Sequence, residues 1–196
     1  MRLAGRERLG FYPLPIPEAE RIRRFLRFPD QQCPVLDPCI GDGAAFAEIT
    51  FDKRVLRYGV ELDAGRAEQA RLKGFEVIHG NCFDVQCPVE SFSLIYLNPP
   101  YDFEIGEEKS QRMEKLFLEH VHRWLIRGGI LVFVVPAKRI TDCAALLSRI
   151  SETRACIASR KLKAPAISKS SSWEYVALGR RGIACRTARS FRRSYG

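Results

Sequence analysis

Val35-Leu36-Asp37-Pro38-Cys39-Ile40-Gly41-Asp42-Gly43 carries a short apolar run into an acid, a proline and two glycines one residue apart. A strand that ends in such a turn and passes into a helix opens a βα unit. Glycine lets the backbone turn tightly there and approach a ligand with no Cβ in the way. The third glycine of the dinucleotide fingerprint is missing, since Phe46 stands in its place, so the loop is not a GxGxxG sequence. Further on, Gly59-Val60-Glu61-Leu62-Asp63 ends a second apolar run on Glu61, 24 residues after Asp37. In doubly wound sheets an acid about 20 residues past the glycine turn accepts hydrogen bonds from ribose hydroxyls.

Outward from these loops, short apolar runs alternate with amphipathic stretches, the pattern of an α/β domain with a mostly parallel sheet and helices on both faces. Strands are expected at Pro34 to Asp37, Val55 to Leu62, Phe75 to His79, Phe92 to Leu97 and Ile130 to Val135, with weaker ones at Arg154 to Ser159 and Trp173 to Gly179. Helices are expected at Pro17 to Phe28, with Ala19, Ile22, Phe25 and Leu26 on one face, at Gly43 to Ile49, and at Ala64 to Lys73 behind an Asp63 N-cap. The longest helix is expected from Glu107 to Ile126, ended by Gly128-Gly129, and another runs from Thr141-Asp142 to Ile150. The organisation that follows is an N-terminal segment and helix (1–28), a core (29–179) and a basic tail (180–196).

The chain has 196 residues, 46% of them hydrophobic and 28% charged, which excludes collagen-like and wholly disordered chains. Its longest apolar run, Ile130 to Pro136, is too short to span a bilayer, so no membrane association is expected. The net charge of +9 is unevenly placed: from Thr153 onward eleven Lys/Arg face the single acid Glu174, which leaves −1 for residues 1–152. A near-neutral body with a basic end favours a polyanionic partner. Seven cysteines, odd in number and without a CxxC pair, read as reduced thiols in the cytoplasm. No cysteine and histidine set has metal-ligand spacing, so no metal is expected.

The loop after the fourth strand reads Asn98-Pro99-Pro100-Tyr101. It stands at the carboxyl end of a strand, where open α/β sheets bind ligands. The residue types suit a planar exocyclic or amide nitrogen, whose lone pair is delocalised until its two N–H bonds are drawn out of plane. The Asn98 side-chain oxygen and the Pro99 carbonyl are the two acceptors for those hydrogens. Proline at 99 leaves its carbonyl free of the strand ladder and fixes the turn. Tyr101 offers a face on which a planar, flipped-out target stacks. The acids Asp102, Glu104, Glu107 and Glu108 read as charges at the start of the long helix.

Together, DPxxGxG, a second strand ending in Glu, and NPPY resemble the class I S-adenosylmethionine-dependent methyltransferases, in particular the N6-adenine DNA methyltransferases. The resemblance covers residues of about 10 to 179. It implies a Rossmann-like, seven-stranded sheet with the last strand antiparallel, and S-adenosyl-L-methionine as cofactor. It implies that Asp37, Pro38, Gly41 and Gly43 pass beneath the methionine part, that Glu61 and Leu62 meet the ribose, and that Asn81 and Cys82 meet the adenine. Asn81 stands where the family usually has Asp, with Asp84 as the other candidate carboxylate. Tyr12 and Pro13 belong to the segment that closes over the cofactor, with Leu14 where Thr is usual. Asn98, Pro99, Pro100 and Tyr101 are implied as catalytic, and Asn98 as a cofactor contact also.

The expected partner is nucleic acid, DNA before RNA, with Arg186, Arg189, Arg192 and Arg193 on the phosphate backbone. RNA adenine and protein glutamine methyltransferases are the alternatives within this chemistry, and a cofactor-binding pseudoenzyme subunit is the non-enzymatic one. The 17 residues after the last expected strand are too few to read a long site, so target recognition would fall to a separate subunit, a short target or loops alone.

Overall fold

The computed structural model describes residues 12–52, 54–100, 113–136, 140–153, 157–162, 173–178 and 192–193. Nine strands are described: β1 (Cys33–Asp37), β2 (Val55–Glu61), β3 (Glu76–His79), β4 (Val85–Gln86), β5 (Phe92–Leu97), β6 (Leu125–Pro136), β7 (Ile157–Leu162), β8 (Trp173–Leu178) and β9 (Arg192–Arg193). Between them lie α1 (Ile16–Arg23), α2 (Ala44–Ile49), α3 (Ala64–Leu72), α4 (Met113–Val121) and α5 (Ile140–Thr153). Seven strands form one sheet in the order β3-β2-β1-β5-β6-β8-β7. The first five in that order run parallel, and β8 is antiparallel to both β6 and β7. This is the expected α/β, Rossmann-like sheet with helices on both faces. After β1 the chain builds outward to β2 and β3, then returns to β1's other side as β5, so the strand order reverses between β1 and β5. Ligand crevices of doubly wound sheets lie at that point.

Alternation along the strands fills both faces, as a sheet buried on two sides requires. Leu36, Ile95, Leu97, Leu131, Phe133 and Val135 pack against Phe117, Leu118 and Val121 of α4 and Leu146, Leu147 and Ile150 of α5. Val35, Leu94, Tyr96, Val132 and Val134 pack against Ala19 and Ile22 of α1, Phe46 and Ile49 of α2 and Ala70 of α3. Asp63 caps α3 as expected, its side chain accepting the Arg66 N–H at 2.8 Å. Among the described residues no helix is long and apolar enough to cross a membrane.

Three expectations are corrected. Helix α4 ends at Val121, and after a 3₁₀ turn at His122–Trp124, Leu125 and Ile126 already belong to β6. Both keep the helical phase in sequence, but the sheet buries them. Gly128-Gly129 sits inside β6, where the pairing jumps from Phe92↔Leu125 to Leu94↔Ile130, so the pair marks a bulge and not a helix stop. Residues 107–112 of the expected helix lie outside the described residues. Helix α1 is shorter than 17–28: Leu26 is buried beyond its end, while Phe25 is 58% exposed. At the basic end, Arg192 and Arg193 form β9, which pairs antiparallel with Val85 and Gln86 of β4. These two residues, expected in a tail without secondary structure, are tied by their backbone to the body.

Phe46 is fully buried between the rings of Phe75 and Tyr96, at centroid distances of 5.8 and 5.9 Å. Phe46→Ala is expected to lower stability by about 3–5 kcal/mol, the cost of emptying a close-packed aromatic site. Urea unfolding followed by circular dichroism measures this directly.

Candidate functional site

A cavity of about 650 Å³ opens at the carboxyl ends of β1, β2 and β5, at the reversal of strand order. The loop after β1 forms its floor. Gly41 and Gly43 both take left-handed backbone conformations, with φ of 57° and 77°. Gly43 is also the N-cap of α2, and a Cβ there would stand 2.9 Å from the Phe75 ring and 3.3 Å from Ala70. The two glycines therefore act by shaping the loop, which lets Asp37, Pro38, Cys39 and Ile40 reach the cavity wall.

Asp37 is 2% exposed, and its Oδ1 accepts the Cys39 N–H at 2.9 Å. Burial pushes its carboxyl well above the usual carboxylate range; the Cys39 bond opposes that shift and the nearby Glu61 charge adds to it. Burial likewise raises the thiols of Cys39 and Cys82, so both wall cysteines are protonated and unreactive near neutral pH.

Glu61 is buried at the end of β2. Its Oε2 accepts the Gly41 N–H at 2.9 Å, and its Oε1 accepts the Asp63 N–H at 2.9 Å and Arg66 at 2.7 Å. Leu62, next along, lies on the wall and is 57% exposed. On the β3 side, Asn81 and Cys82 reach the wall. Asn81 caps the 3₁₀ turn Cys82–Asp84, its Oδ1 accepting the Phe83 N–H at 3.1 Å, so the carbonyl assigned from sequence to an adenine amino group also has a structural task. Asp84 is exposed at the end of that turn and does not line the wall. The Phe83 ring, which does, packs on Phe117 at 4.6 Å.

Asn98 brings the fourth-strand loop to the same cavity. Its Nδ2 donates to the Tyr12 carbonyl at 2.9 Å, and Tyr12 and Pro13 line the cavity beside it. Pro99 is buried and Pro100 lies on the wall. Tyr101, Arg186 and Arg189 lie outside the described residues. The structure thus brings residues of the loops after β1, β2, β3 and β5 around one cavity. It adds two that sequence reasoning missed: Arg66, whose three-residue spacing from the Asp63 N-cap was the available signal, and Phe83.

An open parallel sheet in this order, with a glycine turn at the switch point and a buried acid ending the next strand, is the class I methyltransferase architecture. The chain belongs to the family described as "Uncharacterised methyltransferase family (DUF6094)", whose pattern matches residues 1–153. No curated protein sequence matches it significantly. Solved structures share the fold. A protein from Listeria monocytogenes assigned to the class I S-adenosylmethionine-dependent methyltransferases superposes with a TM-score of 0.67 at 15% identity, over 90% of this chain and 62% of its own. The methyltransferase subunit of a type I restriction-modification system from Streptococcus thermophilus gives 0.68 at 20% identity, over 86% of this chain and 44% of its own. The chain thus spans less than two thirds of either protein. Geranyl diphosphate methyltransferase in complex with S-adenosylmethionine gives 0.54 at 15% identity, over 85% of each chain. S-adenosylmethionine is accordingly the expected cofactor.

The raised Asp37 carboxyl sets a pH signature. Folded Asp37 keeps a proton that the unfolded chain releases above about pH 4. The stability linked to it is therefore full below that pH and falls as pH rises toward the folded value. Asp37→Asn, which retains an acceptor for the Cys39 N–H, should flatten this decline. Denaturant midpoints of both proteins, measured from about pH 4 to 8, give the comparison.

Proposed function

We propose that the protein transfers a methyl group from S-adenosylmethionine to a planar exocyclic nitrogen, N6 of adenine in DNA. The observation that carries this reading is Asn98. It stands at the end of β5 on the same cavity as Glu61 and Asp37, with its amide oriented by the Tyr12 carbonyl.

The residues present fit the cofactor. The cavity is within the roughly 300–1,000 Å³ of small-molecule sites, Asp37, Pro38, Cys39 and Ile40 of the loop after β1 reach its wall, and two buried acids, Asp37 and Glu61, face it. Glu61 and Leu62 would hold the ribose, Asn81, Cys82 and Phe83 the adenine, and Asp37 and Pro38, with Tyr12 and Pro13, the methionine end. Bound there, S-adenosylmethionine supplies an electrophilic methyl on a sulfonium. The chain's own task is orientation. With Nδ2 of Asn98 donating to Tyr12, Oδ1 is the end assigned to one N–H of the target and the Pro99 carbonyl to the other. The two acceptors draw the nitrogen toward pyramidal geometry and steady the positive charge that builds on it. Tyr101, outside the described residues, is the aromatic side chain to which stacking on the base is assigned.

Three further observations favour nucleic acid. The basic C-terminal part carries +10. β9 places the backbone of Arg192 and Arg193 beside β4, directly after the turn whose Cys82 and Phe83 line the cavity. The Streptococcus relative is by name a subunit of a restriction-modification system, which supports DNA as substrate and a separate recognition subunit as partner.

Incubation with tritiated S-adenosylmethionine and DNA, RNA and protein pools is expected to label DNA as N6-methyladenine. Label in RNA adenine or in glutamine would move the substrate accordingly, and cofactor binding without transfer would make the protein a pseudoenzyme. Asn98→Ala should lower kcat by about a hundredfold, as loss of one preorganised polar group does. Truncation after Cys185, if Arg186, Arg189, Arg192 and Arg193 all meet phosphates, should make the slope of log K against log salt shallower by about 3 to 4. It should weaken all DNA sequences alike.

A further inference from the structure

The Glu61 carboxylate is more heavily engaged than a ribose contact allows. Oε2 accepts one donor, the Gly41 N–H at 2.9 Å. Oε1 accepts three: the Asp63 N–H at 2.9 Å, Arg66 Nε at 3.0 Å and Arg66 Nη2 at 2.7 Å. An ionised carboxylate offers about four lone-pair sites, two on each oxygen. Oε1 therefore carries one donor beyond its lone pairs, and only Oε2 has room for another. A ribose diol presents two O–H donors. Of the groups now on Oε1, Asp63 contributes a backbone N–H at the N-cap of α3, fixed by the fold. Arg66 holds on by a flexible side chain whose backbone N–H is separately tied to the Asp63 carboxylate at 2.8 Å. It is the donor that can leave without any movement of the main chain, and it lines the cavity into which it would swing.

We propose that Arg66 is a displaceable counter-ion of Glu61, a positioning residue that neutralises the carboxylate in the cofactor-free protein and yields Oε1 to the ribose diol when cofactor binds. The inference rests on the reading of Glu61 as the ribose acceptor. The Glu61 and Arg66 side chains are 7% and 18% exposed. An ionised carboxylate so shielded from water requires a partner. The same pairing must open before the diol can engage both oxygens, so cofactor affinity is reduced by the fraction of molecules in which it is open. Arg66 thereby makes affinity depend on how well a ligand's hydroxyls replace a guanidinium.

Calorimetric titration with S-adenosylhomocysteine and with its 2′,3′-dideoxy analogue tests this on wild type, Arg66→Met and Arg66→Lys. Arg66→Met keeps the apolar stem and should bind S-adenosylhomocysteine about tenfold more tightly than wild type, the gain expected when a closed state populated about nine times in ten is removed. The gain should vanish with the dideoxy analogue. Arg66→Lys, a point charge without the planar fork, should fall between, and carries the test if Arg66→Met does not fold. Equal or weaker binding by Arg66→Met, or the same gain for both ligands, overturns the proposal. Glu61→Ala separates the two levels of the argument. If it leaves affinity unchanged, the ribose assignment itself fails; if it weakens binding while the Arg66 variants show no diol-dependent gain, only the role of Arg66 fails.

Discussion

Glu61 joins three loops that the sheet alone leaves independent. Its backbone carbonyl accepts the Gly80 N–H at 2.9 Å, and its side chain takes the Gly41 N–H, the Asp63 N–H and Arg66. Parallel pairing sets the strand ends side by side, with Asp37↔Gly59 and Glu61↔His79 as the last registered pairs. Beyond those pairs the backbone adds only a few bonds between these segments, among them Ile40 N–H to the Val60 carbonyl at 3.0 Å, and side chains carry the rest. The carboxylate gives the loops after β1 and β2 a common acceptor, and the backbone carbonyl of the same residue holds the loop after β3. A buried charge is tolerable there because donors surround it, two of them backbone N–H groups, of Gly41 and Asp63, placed by the fold itself. The floor and the far wall of the cavity are therefore positioned by the same residue proposed to contact the ribose.

What the sequence makes legible is the part of this that depends on period and punctuation. β1, β2 and β5 are short apolar runs stopped by Asp37, Glu61 and Asn98, each a polar residue where a buried strand reaches the cavity. The three site loops follow from those stops, and the Asp63 cap follows from its position before a helical run. The junction of α4 and β6 is not legible, because Leu125 and Ile126 extend the helical spacing of apolar residues without a break. Only the pairing of Leu125 with Phe92, which is remote in sequence, decides that the helix has ended. The β4–β9 pairing is hidden for the same reason: a two-residue strand has no period, and its partner is about a hundred residues away. Arg66 escaped notice because one arginine on a surface helix resembles any other until the strand end it faces is known.

The contact between Asn98 and Tyr12 shows how such distant pieces divide their tasks. A neutral hydrogen bond contributes about 0.5–1.5 kcal/mol net, and this one is exposed, so it cannot hold the N-terminal segment to the core. Burial can: Leu14, Ala19 and Ile22 are at most 6% exposed and pack with Phe46, Leu94 and Tyr96. At about 1.5–3 kcal/mol for a fully buried leucine or isoleucine, Leu14 and Ile22 outweigh the hydrogen bond severalfold. The apolar anchors thus decide where the segment lies. The hydrogen bond, too weak to place it, decides instead which end of the Asn98 amide the segment takes. That is the only choice the proposed chemistry needs from it, since an amide turned the other way would present N–H donors to a target nitrogen that itself has N–H groups to give. Docking of the N-terminal segment thus draws its energy from the apolar side chains and brings the Tyr12 carbonyl to the Asn98 amide, where it favours one orientation over the other.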